Sequence, residues 1–167
     1  NAFAASPASG GSGTNIFAGT DNGAFLSTNN GASWTTTSLP NIGVNAFAEI
    51  AGSGGMNILA GGGGAFLSSD NGTTWTSVGA GLNTYVLALA VSPNGAGGSN
   101  LFAAGSEGVY RSTDNGTSWI AANIGLQKIA VRALVASPGS SGSAVNLFAG
   151  TDTSGVFLST NNGASWS

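Results

Sequence analysis

The ionic chemistry of this 167-residue chain rests on nine side chains: Asp21, Glu49, Asp70, Glu107, Asp114 and Asp152, with Arg111, Lys128 and Arg132. Hydrolysis of a glycosidic bond needs two carboxyl groups converging on one site. Asp70 and Asp114 sit inside a repeated loop pattern that explains them, and the other four acids are scattered over different repeats. There is no Cys and no His. That removes thiolate and imidazole zinc sites and His-based nucleophile activation. No cofactor and no metal site is therefore expected, and no catalytic residue is assigned.

The cations fall together, at the junction of the third and fourth repeats. Arg111 stands where the other repeats have Leu, and Arg132 aligns with Asn45 and Leu87. Arg111, Lys128 and Arg132, with the loop acids Asp21, Glu107 and Asp152, form the candidate partner contact. Three basic residues cannot neutralise a phosphate track, so nucleic acid is not an expected partner. No apolar run approaches the roughly 20 residues that span a bilayer, so no membrane insertion is expected.

The elements that place these residues are written four times. Ser27–Trp34 reads STNNGASW, Ser68–Trp75 reads SSDNGTTW, Ser112–Trp119 reads STDNGTSW and Ser159–Trp166 reads STNNGASW, with Trp-to-Trp spacings of 41, 44 and 47. Asn-Gly supplies the positive φ values of a tight turn. The acid or amide at Asn29, Asp70, Asp114 and Asn161 folds an oxygen onto loop N–H groups. Ser27, Ser68, Ser112 and Ser159 open each loop, Gly31, Gly72, Gly116 and Gly163 turn it, and Trp34, Trp75, Trp119 and Trp166 close it with an apolar ring. Such a loop satisfies its own polar groups and recurs without a ligand. The sequons at Asn71 and Asn115 lie inside these turns, which makes glycosylation there a weak expectation.

The octamer resembles the Asp box, or BNR repeat, of sialidases, sortilin-type receptors and long secreted bacterial repeat proteins. Asp70 and Asp114 match that motif, whereas Asn29 and Asn161 stand where Asp is usual. The resemblance implies a β-propeller with each octamer between the third and fourth strands of a blade, on the side away from the ligand-binding face. Sialidase chemistry would require an arginine triad and a Tyr nucleophile paired with Glu. Arg111 and Arg132 are too few, and Tyr110 aligns with Phe25, Phe66 and Phe157 as a core aromatic.

Aligning the octamers aligns the rest. Each repeat holds an opening apolar run (Ala2–Ala5, Val44–Ile50, Val86–Val91, Val131–Ala136), an Asn-headed strand, a strand entering the octamer and one leaving it. Strands apolar on both faces are buried on both, so repeats must pack side by side. The expected fold is all-β, a propeller of four-stranded antiparallel blades at about 1–43, 44–85, 86–130 and 131–167, the last truncated. The alternative fold is a β-solenoid. The chain, which opens on Asn1 without Met, reads as a mature or excised piece. Closure is left between a partial propeller, half of a dimeric ring and a small four-bladed ring. The turns 20–23, 61–64, 105–108 and 151–155 and the connections 35–43, 76–85 and 120–130 vary most and share the face opposite the octamers. The functional expectation is a non-enzymatic, secreted or cell-surface scaffold or protein-interaction module with a protein partner or self-association. A carbohydrate-binding propeller that takes a glycan is the alternative, and a sialidase-like glycosidase fragment the remote one.

Overall fold

A computed structural model describes residues 1–8, 13–52, 55–126, 129–139 and 145–167; the Lys128 contact falls outside them. All regular structure among the described residues is β-strand, in four antiparallel sheets. The first holds β1 (Ala2–Pro7), β2 (Thr14–Thr20), β3 (Gly23–Ser27) and β4 (Thr35–Thr36). The second holds β5 (Val44–Gly52), β6 (Gly55–Gly62), β7 (Ala65–Ser68) and β8 (Thr76–Ser77). β9 (Val86–Pro93), β10 (Ser99–Gly105), β11 (Gly108–Ser112) and β12 (Ile120–Ala121) make the third. β13 (Val131–Pro138), β14 (Val145–Thr151) and β15 (Val156–Ser159) make the fourth, where Ser167 exchanges two backbone hydrogen bonds with Leu158. Each sheet is a meander in sequence order, a propeller blade.

The alternating faces dictate how blades meet. Opposed residues share a face of a sheet, so Phe47, Ala60 and Phe66 form one stripe across the second blade. That stripe looks toward the first blade, where Phe17 is fully buried. The rings of Phe17, Phe47 and Trp75 meet there with centroids 6.0 to 6.5 Å apart. The opposite stripe, Ala48 and Leu59, packs with Leu89 and Tyr110 of the third blade. Tyr110 is a core aromatic, 8% exposed. The third and fourth blades close over Phe102, Leu134 and Leu147 in the same way. Burying one such side chain stabilises by about 1.5–3 kcal/mol, and a single sheet has nowhere to bury both stripes.

Close approach demands glycine at two recurring places. A Cβ on Gly19 would lie 2.8 Å from Val44 O, and one on Gly61 would strike the Val86 side chain. A Cβ on Gly72, at φ +84°, would strike the ring of Phe17 in the preceding blade. The octamers therefore tie blades together as well as closing hairpins.

Candidate functional site

Two ends of the blades are available for chemistry. The octamers and the hairpins between first and second strands occupy one. The turns between second and third strands, with the connections between blades, occupy the other.

At the octamer end the side chains are committed to structure. Ser27, Ser68, Ser112 and Ser159 are at most 1% exposed. Each Oγ accepts the N–H of Gly31, Gly72, Gly116 or Gly163 at 2.8–2.9 Å. Each hydroxyl donates to Oδ1 of Asn29, Asp70, Asp114 or Asn161 at 2.7–3.0 Å. That same Oδ1 accepts the N–H of Ser33, Thr74, Ser118 or Ser165. Asn30, Asn71, Asn115 and Asn162 carry φ of 56–58° ahead of each glycine. Hydrogen bonds from the Ser118 hydroxyl and N–H and from Ser112 hold the Asp114 carboxyl down to about 2. Burial pushes Asp70 up, but hydrogen bonds from Thr74 and Ser68 outweigh it and leave its pKa lowered. Neither acid is placed to exchange a proton near neutral pH.

The tryptophans do more than cover their own turns. Trp75 Nε1 donates within its loop to Gly72 O at 3.1 Å. Trp119 Nε1 crosses to Val78 O of the preceding blade at 2.7 Å, and Trp166 Nε1 to Ala122 O at 2.8 Å. Trp34 is 39% exposed, edge-on to Phe3.

The cation group separates in space. Arg111 lies one residue before an octamer, where Nη2 donates to Asn100 Oδ1 at 3.1 Å and Nε is buried without a partner among the described residues. Arg132 lies at the other end, on a β-bulge that β5 and β9 repeat at Asn45 and Leu87. A bulge re-aims its side chain. Arg132 makes two bonds to Asp152, 2.6 and 2.9 Å, and Asn45 Nδ2 reaches Val86 O. The pair lowers the Asp152 pKa and raises that of Arg132, chiefly through that side-chain hydrogen bond.

The turn end also collects an exposed aromatic ring, hydroxyls and carboxylates. Tyr85, in the connection before β9, is 48% exposed. Its hydroxyl lies 2.7 Å from where a Cβ on Gly43 would stand, and its ring edge lies over Gly63. Gly43 also adjoins Asp21 of the first blade. On the other side, Thr84 Oγ1 meets Ser106 Oγ at 3.4 Å and accepts the Glu107 N–H. Asp21, Gly43, Tyr85, Thr84, Ser106 and Glu107 thus run across three blades as one surface. Asp21 accepts a 2.6 Å hydrogen bond from Asn1 Nδ2, and the Asn123 amide donates to Glu107 O.

Sequence reasoning passed over Tyr85, although it ends the connection 76–85 and stands where Gly43 and Ala130 precede the sibling strands. Glu49 was passed over too. It replaces Ala5, Val91 and Ala136 of the sibling inner strands and lines a groove of about 540 Å³ with Ala51, Met56, Val91 and Pro93. Burial raises its pKa. Among the described residues, no second acid and no aromatic ring lines that groove, so the pair that glycosidic chemistry needs is not found there.

No protein-family model matches the chain, and no curated protein matches it. Solved structures do. An ancestral GH74 enzyme superposes with a TM-score of 0.69 at 20% identity over 99% of this chain. The chain shares the fold of GH74 propellers. The GH74 enzyme of Niastella koreensis follows at 0.62 and 20% over 98%, and the GH74 xyloglucanase of Xanthomonas campestris at 0.61 and 16% over 92%. The chain spans about a quarter of each of those proteins, 24–28% of their length.

This likeness overturns the expectation of a non-enzymatic scaffold or interaction module. Three solved structures that share the fold are GH74 enzymes. The expectation set aside Asp21, Glu49, Glu107 and Asp152 because they are scattered over different repeats, whereas a propeller brings turns of neighbouring blades side by side. The absence of activity expected from the sequence has no support from these neighbours.

Proposed function

We propose that this chain is a section of a glycoside-hydrolase-type propeller, acting outside the cell on a polysaccharide of the xyloglucan class. The observation that carries the reading is the superposition of 99% of the chain on a GH74 enzyme at a TM-score of 0.69. The surface around Tyr85 supports it. An exposed aromatic ring offers a sugar its apolar face, while nearby hydroxyls and carboxylates engage the sugar's own hydroxyls. In hydrolysis one carboxyl group protonates the leaving oxygen, and a second activates water or attacks the anomeric carbon. Asp21 and Glu107, which flank Tyr85 and form no ion pair among the described residues, are the groups proposed for that work. Asp152 is held as a carboxylate by Arg132 and suits orientation rather than proton donation. The octamers, with their Ser and Asp or Asn hydrogen bonds, support assignment to the Asp-box class, one per blade.

The test is titration of the chain with xyloglucan oligosaccharides, together with reducing-end release from the polymer. Binding that falls roughly tenfold in Tyr85→Ala is expected, with release abolished in Asp21→Asn or Glu107→Gln. Absence of both binding and release, or binding indifferent to Tyr85→Ala, removes the reading.

A further inference from the structure

Six Asn-Gly pairs punctuate the chain, at Asn22, Asn30, Asn71, Asn94, Asn115 and Asn162. Each carries a latent reaction, because the glycine nitrogen, unhindered by a Cβ, can reach the asparagine's own side-chain amide carbon. Attack needs that nitrogen to give up its proton, and a hydrogen bond donated by the N–H opposes the loss. In the four octamers the N–H of Gly31, Gly72, Gly116 and Gly163 donates to a buried serine Oγ at 2.8–2.9 Å. Gly23 is buried in the β2–β3 ladder opposite Thr20. Gly95 differs on every count. It is exposed in the loop between β9 and β10, and its N–H has no acceptor among the described residues. Nothing lies within 4 Å of where its Cβ would stand. The carbon it would attack is also activated. Asn94 Oδ1 accepts the N–H of Ala96 and that of Gly98, each at 2.9 Å. Those donors stand where negative charge gathers when Asn94 Cγ is attacked, as an oxyanion hole does. A Cβ on Gly98 would lie 2.7 Å from Asn94 Nδ2, so glycine there leaves the departing nitrogen its room.

We infer that Asn94 is a site of spontaneous self-modification, and that the fold withholds the same reaction from the other five pairs. Solvent base takes the Gly95 amide proton, and the nitrogen attacks Asn94 Cγ. The new C–N bond closes a five-membered succinimide as the bond from Cγ to Nδ2 breaks. Nδ2 takes a proton from water and leaves as ammonia. Water then opens either carbonyl–nitrogen bond of the imide, which leaves aspartate or isoaspartate at position 94. The product adds a negative charge to a chain of net charge −3. It does so beside the groove that Gly95, Gly97 and Gly98 line with Glu49, so the modified and unmodified chains differ in charge at that rim.

The test is peptide mapping by mass spectrometry of the folded chain held in mildly alkaline buffer, beside the same chain in urea. Modification reads as a gain of about one dalton at an asparagine. In the folded chain Asn94 should react at least ~10-fold faster than any octamer asparagine, because a buried donor must first be released there. In urea the six pairs should react at similar rates. Gly95→Ala hinders the attacking nitrogen and should slow position 94 alone. Ser112→Ala removes the acceptor of the Gly116 N–H and should quicken Asn115. Asn71, in an intact octamer of the same sample, should stay slow and so report that the chain is folded. Comparable rates at Asn94 and at the octamers of the folded wild type overturn the inference. So does an Asn94 that stays intact while the urea sample reacts. An Asn115 unchanged in Ser112→Ala overturns the protection assigned to the serines.

Discussion

Ser112→Ala isolates what one octamer contributes, because it removes a single oxygen and leaves the packing volume almost unchanged. Ser112 is 1% exposed, and its Oγ accepts the buried Gly116 N–H at 2.9 Å. Without it the N–H has no partner, since the gap left by one oxygen is smaller than a water needs. A buried donor left unsatisfied costs about 1–3 kcal/mol, and the lost hydrogen bond itself is part of that figure. The bond from Ser112 to the exposed Asp114 carboxylate is left out of the sum, because water replaces it. Taking about 2–3 kcal/mol, and about 2–4 °C per kcal/mol for a chain of this size, the midpoint should fall by roughly 4–12 °C. Differential scanning calorimetry beside the exposed Ser154→Ala control, expected within about 2 °C of wild type, gives the comparison. Equal midpoints for the two variants would refute the claim that the serine anchors the loop.

Other expectations follow from the same geometry. Gly72→Ala and Gly95→Ala both place Ala at positive φ, but only the first collides with a neighbour, the Phe17 ring. Gly95→Ala should cost about 1 kcal/mol or a little more and Gly72→Ala clearly more, read by urea unfolding. Asp114 has its pKa lowered to about 2, so its contribution is present above the ordinary carboxylate pKa and lost as pH falls toward 2. Asp114→Asn, the residue that two sibling octamers already carry, should flatten stability between pH 4 and pH 2 relative to wild type in acid titrations. Arg132→Ala breaks an exposed ion pair, so its thermal midpoint should match wild type at moderate salt.

The blade plan was legible because the chain repeats it. Asn-Gly at fixed register, Ser two residues before Asn or Asp, and inner strands apolar on both faces each lead to the same meander. The reach of Trp119 and Trp166 into the preceding blade was not legible, because the acceptors Val78 O and Ala122 O are backbone atoms that no side-chain pattern marks. The candidate site was harder still. Asp21, Tyr85 and Glu107 are far apart in sequence and come together only through neighbouring turns, while Arg111 and Arg132 are near in sequence yet end at opposite ends of their blades. Spacing along a chain reports contacts within a blade well and contacts between blades poorly. At 16–20% identity, the likeness to GH74 enzymes exists in backbone shape rather than in residues.

Exchange of the four indole N–H protons, followed by NMR in dilute protein, tests most directly whether octamers join blade to blade. Trp119 and Trp166, bonded across to Val78 O and Ala122 O, should exchange slowest, Trp75 next, and Trp34 fastest. Four indoles exchanging at one common rate would contradict blades locked together through their tryptophans.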